Sequence, residues 1–164
     1  MLDTLDIALL RALRENPRAG VLELARLTGV ARATVAARMQ RWDDDGVVTG
    51  YGPDLDLPAA GYPVQAFVTI EIAQGGLDAV ARDLEAIPGI VEAHATTGSG
   101  DVLARIAATS HDDLQQTLLQ VSRSTIVTRT TSVVVLSTVV AHRTQPLLEH
   151  TARPTSTRAP GYRG

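Results

Sequence analysis

The hydrophobic period of this 164-residue chain changes at a stretch rich in Gly, Pro and Asp, residues 52–63. Before this stretch, apolar residues recur every three or four positions, as in amphipathic helices. After it, alternating segments typical of strands are interleaved with helical ones. We therefore predict an α+β chain with two domains, residues 1–51 and 64–140, joined by a linker over 52–63.

Three short helices are predicted in the first domain. The first covers residues 3–15 and ends at Asn16-Pro17, because the residue before a proline is pushed out of the α region. The second covers residues 21–28 and is followed by Gly29, which can adopt the left-handed conformation that ends many helices. The side chains of the second helix predicted to face inward are Leu22, Ala25 and Leu27.

The third helix, residues 32–44, combines a core stripe with a basic surface. At about 100° per residue, Val35, Met39 and Trp42 fall on one side. The stretch GVARATVAARMQRW (29–42) holds three arginines and no acid, in a chain of net charge −3. Arginine pairs with guanine, threonine bonds bases or phosphates, and alanine permits close approach. The Gly-containing turn before it indicates a helix-turn-helix whose third helix enters the DNA major groove. The predicted DNA-contacting residues are Arg32, Ala33, Thr34, Ala37, Arg38 and Arg41.

Other interpretations of this helix remain open. Its arginines can instead pair with acids such as Glu23 or those of residues 43–45, on a solvated helix of a small bundle. Arg38 in particular can brace the helix against an acid. Ala31 stands at the helix start without a capping hydroxyl, so we expect a frayed first turn. Residues 47–51 (VVTGY) have β character and predict a short strand, the wing of a winged helix-turn-helix.

The second domain predicts a β-α-β, β-α-β order, the ferredoxin-like split βαβ architecture. Apolar residues on both faces of the sheet, including Phe67, Leu103 and VVVL (133–136), indicate that a second copy of the chain covers the open face. The aperiodic tail, residues 141–164, is predicted to be disordered. The predicted strands cover residues 66–72, 90–97, 101–108 and 128–140, and the predicted helices cover residues 77–87 and 111–122.

Composition excludes several kinds of binding site and several cellular locations. There is no cysteine, which excludes disulfides and thiolate metal sites. No apolar run has the length of a membrane span, and the N-terminus carries acids where a signal peptide is basic. We expect a cytoplasmic protein with no cofactor, no metal and no membrane partner. Nucleophilic-triad, paired-carboxylate and metal-ligand patterns do not stand out either.

The whole sequence resembles the Lrp/AsnC family, also called feast/famine regulatory proteins. The matching segments cover nearly all of residues 2–140 in the family's order. The resemblance implies a winged helix-turn-helix joined to a ligand-sensing α/β domain. It implies a DNA-binding transcription regulator, not an enzyme, that forms homodimers or tetramers and octamers and responds to an amino acid or related metabolite. The matching segments are LDTLDIALLRALRENPR (2–18), LELARLTGVARATVAARMQRWDDDGVVTGY (22–51), GYPVQAFVTIEI (61–72), IPGIVEAHATTGSGD (87–101) and TRTTSVVVL (128–136).

The resemblance also implies an effector site. The family's Gly-x-x-Asp turn falls on Gly98 and Asp101, where the carboxylate can pair with an ammonium and turn amides can receive a carboxylate. This segment can equally be a plain strand-to-strand turn, and Ser99-Gly100 replaces the aromatic common in relatives. The effector-site residues implied in this way are Gly98, Ser99, Gly100, Asp101, Thr130 and Ser132.

Two other functions stay open at this stage. Siroheme decarboxylases resemble the same two-domain family, but their aromatic, His- and Arg-rich segments are replaced here by AFVTIEI (66–72). His94 is the histidine of interest for that reading, and a structural role suits it better than acid–base catalysis. A third possibility is an assembly protein that acts through an oligomeric ring.

Overall fold

The computed structural model describes residues 2–151, which form two compact units. One unit contains the chain up to Pro53 and the segment from Ala141 onward, and the other contains Asp54–Val140. No helix within the described residues has the length and apolar content that crossing a membrane requires.

The first unit is a small helical bundle. It contains α1 (Thr4–Glu15), α2 (Val21–Thr28), α3 (Arg32–Asp44) and α6 (Gln145–Thr151). Asp3 caps α1 in a reciprocal capping box with Asp6, which satisfies amides that the first helical turn leaves free. Gly29 ends α2 with φ +68°, as its place in the turn predicts. The fully buried apolar residues of this unit are Leu9, Leu24, Val35 and Trp42.

The inward face of α2 differs from the predicted one. Leu24 is fully buried, whereas Leu22 is 66% exposed and Leu27 is 45% exposed. The helix carries leucines on two sides, so its sequence offers two candidate apolar faces. Packing selects the face of Val21, Leu24 and Ala25, whose i, i+3, i+4 spacing places them together.

The predicted wing strand over residues 47–51 is not formed. The amides of Val47 and Val48 both donate to the carbonyl of Trp42, which closes the end of α3. Val48 packs against the helical core, and the Tyr51 hydroxyl donates to Asp43. Because the helix end already uses the amides of Val47 and Val48, these amides are not available for strand pairing, although the residues are β-prone.

The second unit is a four-stranded antiparallel sheet in the order β2-β3-β1-β4 with two helices on one face. This is the predicted ferredoxin-like arrangement. Ala66, Val68 and Ile70 of β1 are fully buried beneath the helices, and alternation places Phe67 on the other face. Its elements are β1 (Val64–Ile72), α4 (Leu77–Glu85), β2 (Ile90–Ala95), β3 (Val102–Ala108), α5 (His111–Ser122) and β4 (Val127–Val134).

The last strand is shorter than predicted. β4 ends at Val134, and the Val135 amide still donates to Gln65 at the start of β1. Beyond this point β1 offers no further partner, so the β-prone residues that follow leave the sheet. Leu136 is 96% exposed and Val139 is 92% exposed.

Part of the predicted disordered tail is ordered. α6 lies within it, and Glu149 of α6 accepts a hydrogen bond and ion pair from Arg11 of α1. Pro146 is tolerated because the first turn of a helix does not need its missing amide. Residues 152–164 lie outside the described residues.

Candidate functional site

The side of α3 opposite its core stripe is exposed and nearly bare. Val35 and Trp42 are fully buried against α1 and α2, and Met39 packs beside them. Ala33, Ala37 and Arg32 of the predicted set are exposed, and Thr34 is half-buried. This leaves a helical surface of small side chains with one arginine at its N-terminal end.

Arg38 and Arg41 are bound within the bundle by a buried carboxylate. Asp6 of α1 has no exposed surface. Its Oδ1 accepts hydrogen bonds from Arg38 Nη1 at 2.8 Å and from the indole N–H of Trp42 at 3.1 Å. Arg41 Nη2 lies 2.7 Å from each carboxylate oxygen, and Asp3 forms a second ion pair with Arg38. These five residues, which we call the Asp6 cluster, connect α1 to α3.

The Asp6 cluster holds its central carboxylate in the charged form. Burial by itself raises the pKa of Asp6. Hydrogen bonds from the Asp3 amide, Arg38 and Trp42, with the charge of Arg38, outweigh burial and lower the pKa to about 2. The same contacts, with those to Asp3, raise the pKa of Arg38. The cluster is therefore ionised throughout the neutral range.

The outward direction predicted for Arg41 is thus only partly found. Its side chain is 44% exposed, but one guanidinium nitrogen is bound to Asp6. Arg38, 23% exposed, has the bracing contact that was the alternative interpretation. Their partner is an acid on α1, not Glu23 or the acids at the end of α3.

Besides the acids at its C-terminal end, α3 has two exposed residues that were not predicted, Ala36 and Gln40. Around the helix axis Gln40 lies between Ala36 and Ala33, on the side away from the core. The signal was present, since at 100° per residue Gln40 falls about 130° from the centre of the core stripe. Gln40 is neither charged, hydroxylated nor small, so a prediction based on those side-chain types does not include it.

The start of α3 has no side-chain cap, as expected from Ala31. Ala31 has extended backbone angles, φ −57° and ψ 138°, and its carbonyl accepts from the amides of Thr34 and Val35. The amides at the very start of the helix are left for solvent or a ligand. Fraying of this turn remains a prediction.

The glycine-rich turn between β2 and β3 is tied to β1. The Asp101 amide donates to the carbonyl of Ile70, and its carboxylate Oδ2 accepts from the Ile72 amide at 2.8 Å. Gly98 has φ +117°, a conformation that other residues rarely adopt. A Cβ on Gly100 would lie 2.1 Å from Thr69 Cγ2, so a larger residue there would require the Thr69 side chain to move. Ser99 is exposed at the tip.

The two other predicted effector residues lie across β1 from this turn. Thr130 pairs with Ile70 and Ser132 pairs with Val68 in the β1–β4 ladder. This turn leads into β3, which pairs with the edge of β1 opposite β4. The turn and the two β4 residues are therefore roughly 10 Å apart, which is two strand spacings. Thr130 is half-buried and Ser132 is exposed. Within one copy of the chain, these residues share an end of the sheet but do not meet in one pocket.

The described part of the chain offers no metal-ligating grouping. Residues 2–151 contain no cluster of three His, Asp or Glu side chains suited to a metal ion. His94 is exposed on β2, with Nε2 3.7 Å from a Glu92 oxygen. This is an ordinary surface arrangement.

Comparison with known proteins places both units in one family. Residues 2–41 match the AsnC-type helix-turn-helix domain, and residues 65–145 match the Lrp/AsnC ligand binding domain. The chain is 32% identical to regulatory protein AsnC of Escherichia coli K12 over 121 residues, which is 73% of this chain and 79% of that protein. It is 28% identical to the HTH-type transcriptional regulator FL11 of Pyrococcus horikoshii over 137 residues, 84% of this chain and 91% of that one.

Solved structures agree with this assignment. E. coli AsnC superposes with a TM-score of 0.81 at 27% identity, covering 89% of this chain and 99% of that one. A Neisseria meningitidis transcriptional regulator solved with L-Met also gives 0.81, at 25% identity and 92% and 99% coverage. These relatives are named as regulators, and nothing supports the decarboxylase alternative. The chain belongs to the Lrp/AsnC family of helix-turn-helix transcription regulators.

Proposed function

We propose that this regulator reads double-stranded DNA with the exposed face of α3, as a homodimer or larger assembly, under the control of an amino acid or similar metabolite. It acts in the cytoplasm, and as a regulator, not as an enzyme. One observation carries the proposal. α3 exposes a face of small side chains, and the Asp6 cluster fixes the helix to α1 on another side.

The proposed DNA contacts divide into two kinds. Arg32, Ala33, Thr34 and Ala37 enter the groove, with Arg32 reaching a phosphate or a guanine and the alanines allowing close approach. Arg41 contacts a phosphate with the exposed part of its guanidinium while Asp6 keeps the rest. Arg38 stands behind these residues as a brace, because two carboxylates hold it.

Fluorescence anisotropy with DNA from the protein's own upstream region tests the DNA proposal. We expect tighter binding than to a scrambled duplex and a steep loss of affinity with salt. Arg32→Ala should weaken binding and reduce the salt slope. Arg82→Ala, an exposed arginine of α4 in the other unit, is the matched control and should leave both unchanged. Equal affinity for both duplexes, unaffected by Arg32→Ala, would contradict the proposal.

The open face of the sheet supports the proposed dimer. Phe67 is 42% exposed and Val133 is 63% exposed, on strands that pair directly at these two positions. Leu103 of β3 lies on the same face of the sheet, opposite Thr69, which is two residues beyond Phe67 on β1. Exposed apolar groups grouped in this way are typical of an interaction surface. Two copies joined here would present two recognition helices to a two-fold symmetric site.

Light scattering after size exclusion tests this dimer. Phe67→Asp places a charge in the proposed interface and should reduce the apparent mass to that of one chain. Leu119→Asp, on the exposed side of α5, is the control and should leave the mass unchanged. A single-chain mass for the unaltered protein would refute the dimer.

The proposed effector site is the turn of Gly98, Ser99, Gly100 and Asp101, with Thr130 and Ser132 nearby or contributed across an interface. The L-Met complex of the Neisseria relative supports an amino acid as the class of ligand. Turn amides suit its carboxylate, and the Asp101 carboxylate has one oxygen left beyond its bond to Ile72 for the ammonium.

A thermal-shift panel of the standard amino acids, beginning with L-methionine, tests the effector. A ligand at 100 times its dissociation constant should stabilise the protein by about 2.7 kcal/mol. Ser99→Trp, at the exposed tip, should block that shift without disturbing the buried Gly100. Ser137→Trp, outside the sheet, is the control. If no amino acid shifts the melting temperature, the effector proposal fails.

A further inference from the structure

Gln40 occupies a central place on the exposed face of α3. Together with Ala33, Ala36 and Ala37 it lies opposite the core stripe, and all four residues are exposed. Their spacing of three, one and three positions places them in one row along the helix. Homeodomain recognition helices place their base-contacting residues at this same spacing.

The three arginine side chains of α3 lie outside this row. Arg38 and Arg41 are turned toward Asp6 and lie on the flank of the helix that faces α1. Arg32 lies at the first helical position, more than two turns before Gln40. The three alanines end at Cβ. Gln40 is therefore the polar side chain within the row that has the length to reach a base edge.

Its carboxamide is already oriented. Gln40 Nε2 donates to Asp44 Oδ1 at 2.9 Å, one helical turn further on. A carboxamide carries two N–H donors and one carbonyl oxygen. The bond to Asp44 uses one donor and leaves the second N–H and the oxygen for a partner. That pair of groups matches N7 and N6 of adenine, which glutamine binds in a bidentate manner in the major groove.

We propose that Gln40 is the specificity-determining residue of this regulator and reads an adenine, while the methyl groups of the neighbouring alanines contact thymine methyls. The inference rests on the proposed entry of α3 into the major groove. It assigns the adenine preference to a neutral amide and leaves Arg38 to bracing and Arg41 to phosphate binding. The binding site should therefore contain an A·T pair whose identity depends on Gln40 alone.

Selection from a randomised double-stranded oligonucleotide library tests this assignment. The full-length protein should select a motif with adenine strongly preferred at one position of each half-site. Gln40→Ala should lose about 5- to 150-fold of the discrimination at that position and keep the rest of the motif. Gln40→Arg should change the preference at that position from adenine to guanine. Gln116→Ala, an exposed glutamine of α5, is the control and should select the unaltered motif.

The outcomes separate this inference from the proposed function. If the unaltered protein selects no motif, the proposed DNA function fails. If it selects a motif that Gln40→Ala and Gln40→Arg leave unchanged, the assignment of Gln40 is overturned. A uniform loss across all positions, with an unchanged melting temperature, also overturns it, since that pattern indicates phosphate binding or helix placement. A loss confined to one position, with the switch to guanine, establishes it.

Discussion

Each of the two units of this protein has its own core, and the two cores differ in chemistry. The first unit buries four apolar side chains completely and places a charged carboxylate, Asp6, among them. The second unit buries a larger apolar cluster, and its one buried polar side chain, Thr117, donates to a carbonyl of its own helix. In the small bundle, ionic contacts help to orient a helix. In the sheet, backbone hydrogen bonds between the strands fix their positions, so buried ion pairs are not needed for that purpose.

The ionic core carries a specific vulnerability. A buried ion pair adds little net stability compared with an apolar equivalent, but removing its central member, here Asp6, leaves the buried Trp42 indole N–H without its acceptor and takes one carboxylate from the arginines. The apolar core has no such member and loses only contact and volume when a side chain is shortened. Substitutions in the two cores, and at the start of α3, test this contrast.

Asp6→Ala should destabilise the first unit by about 3–5 kcal/mol, because it leaves the buried Trp42 indole N–H without its acceptor and removes one of the two carboxylates that hold Arg38. Trp42 is the chain's single tryptophan, so its fluorescence during urea unfolding reports on this unit. Asp112→Ala, an exposed aspartate of α5, is the control and should have little effect. A loss below about 1 kcal/mol would show that the Asp6 cluster is dispensable.

Ile106→Ala should destabilise the second unit by about 2–5 kcal/mol, the usual cost of a cavity in an apolar core. Ile106 is fully buried on β3, and the change removes no hydrogen bond. Urea unfolding followed by far-ultraviolet circular dichroism measures the loss. Leu136→Ala removes a comparable aliphatic side chain that is 96% exposed and should be neutral. Equal effects of the two changes would contradict the assigned core.

Acid should weaken the first unit in a defined window. The folded pKa of Asp6, about 2, lies below the ordinary value of 3.8, so its contribution is complete above about pH 4. It is lost as the pH falls toward 2, and amounts to about 2 kcal/mol. Unfolding followed through Trp42 between pH 2 and 6 should show this slope. Asp6→Asn should reduce the slope, and an identical slope in both proteins would refute the assignment.

Ala31→Ser should stabilise the first unit by about 0.5–2 kcal/mol, because the extended backbone at this position suits a capping hydroxyl. Hydrogen exchange at the amides of Ala33 and Thr34 should slow down. Ala36→Ser introduces the same side chain in the exposed middle of α3, where it cannot cap, and should not stabilise. Unchanged exchange at the helix start in Ala31→Ser would show that this turn is not frayed.

Sequence pattern predicted most of the elements in these units. Helical spacing located α1, α2 and α3, and alternation located β1 and its inward face of Ala66, Val68 and Ile70. These patterns repeat over many residues within one element, so they survive any error at a single position. The same regularity supported the ferredoxin-like order and the family resemblance, which the structure and the comparisons confirm.

The candidate sites were less predictable. The bound state of Arg38 and Arg41 depends on Asp6, more than thirty residues away in the chain. Spacing within α3 located Arg41 outside the core stripe but carried no information on where its long side chain would turn. Helical geometry also places Gln40 on the exposed side, but an uncharged amide does not distinguish it in the sequence, and its role in base recognition stays a proposal.

Local periodicity and local turn residues were sufficient to predict the type and order of most elements and the family. Only the tertiary structure decided which leucine of α2 is buried, that residues 47–51 close a helix, where β4 ends and that α6 forms against α1. Three of these outcomes depend on whether a neighbour distant in the chain provides an apolar face, a strand edge or an ion-pair partner, and packing sets that. The exception is the segment after α3, where the amides of Val47 and Val48 bond locally to the carbonyl of Trp42.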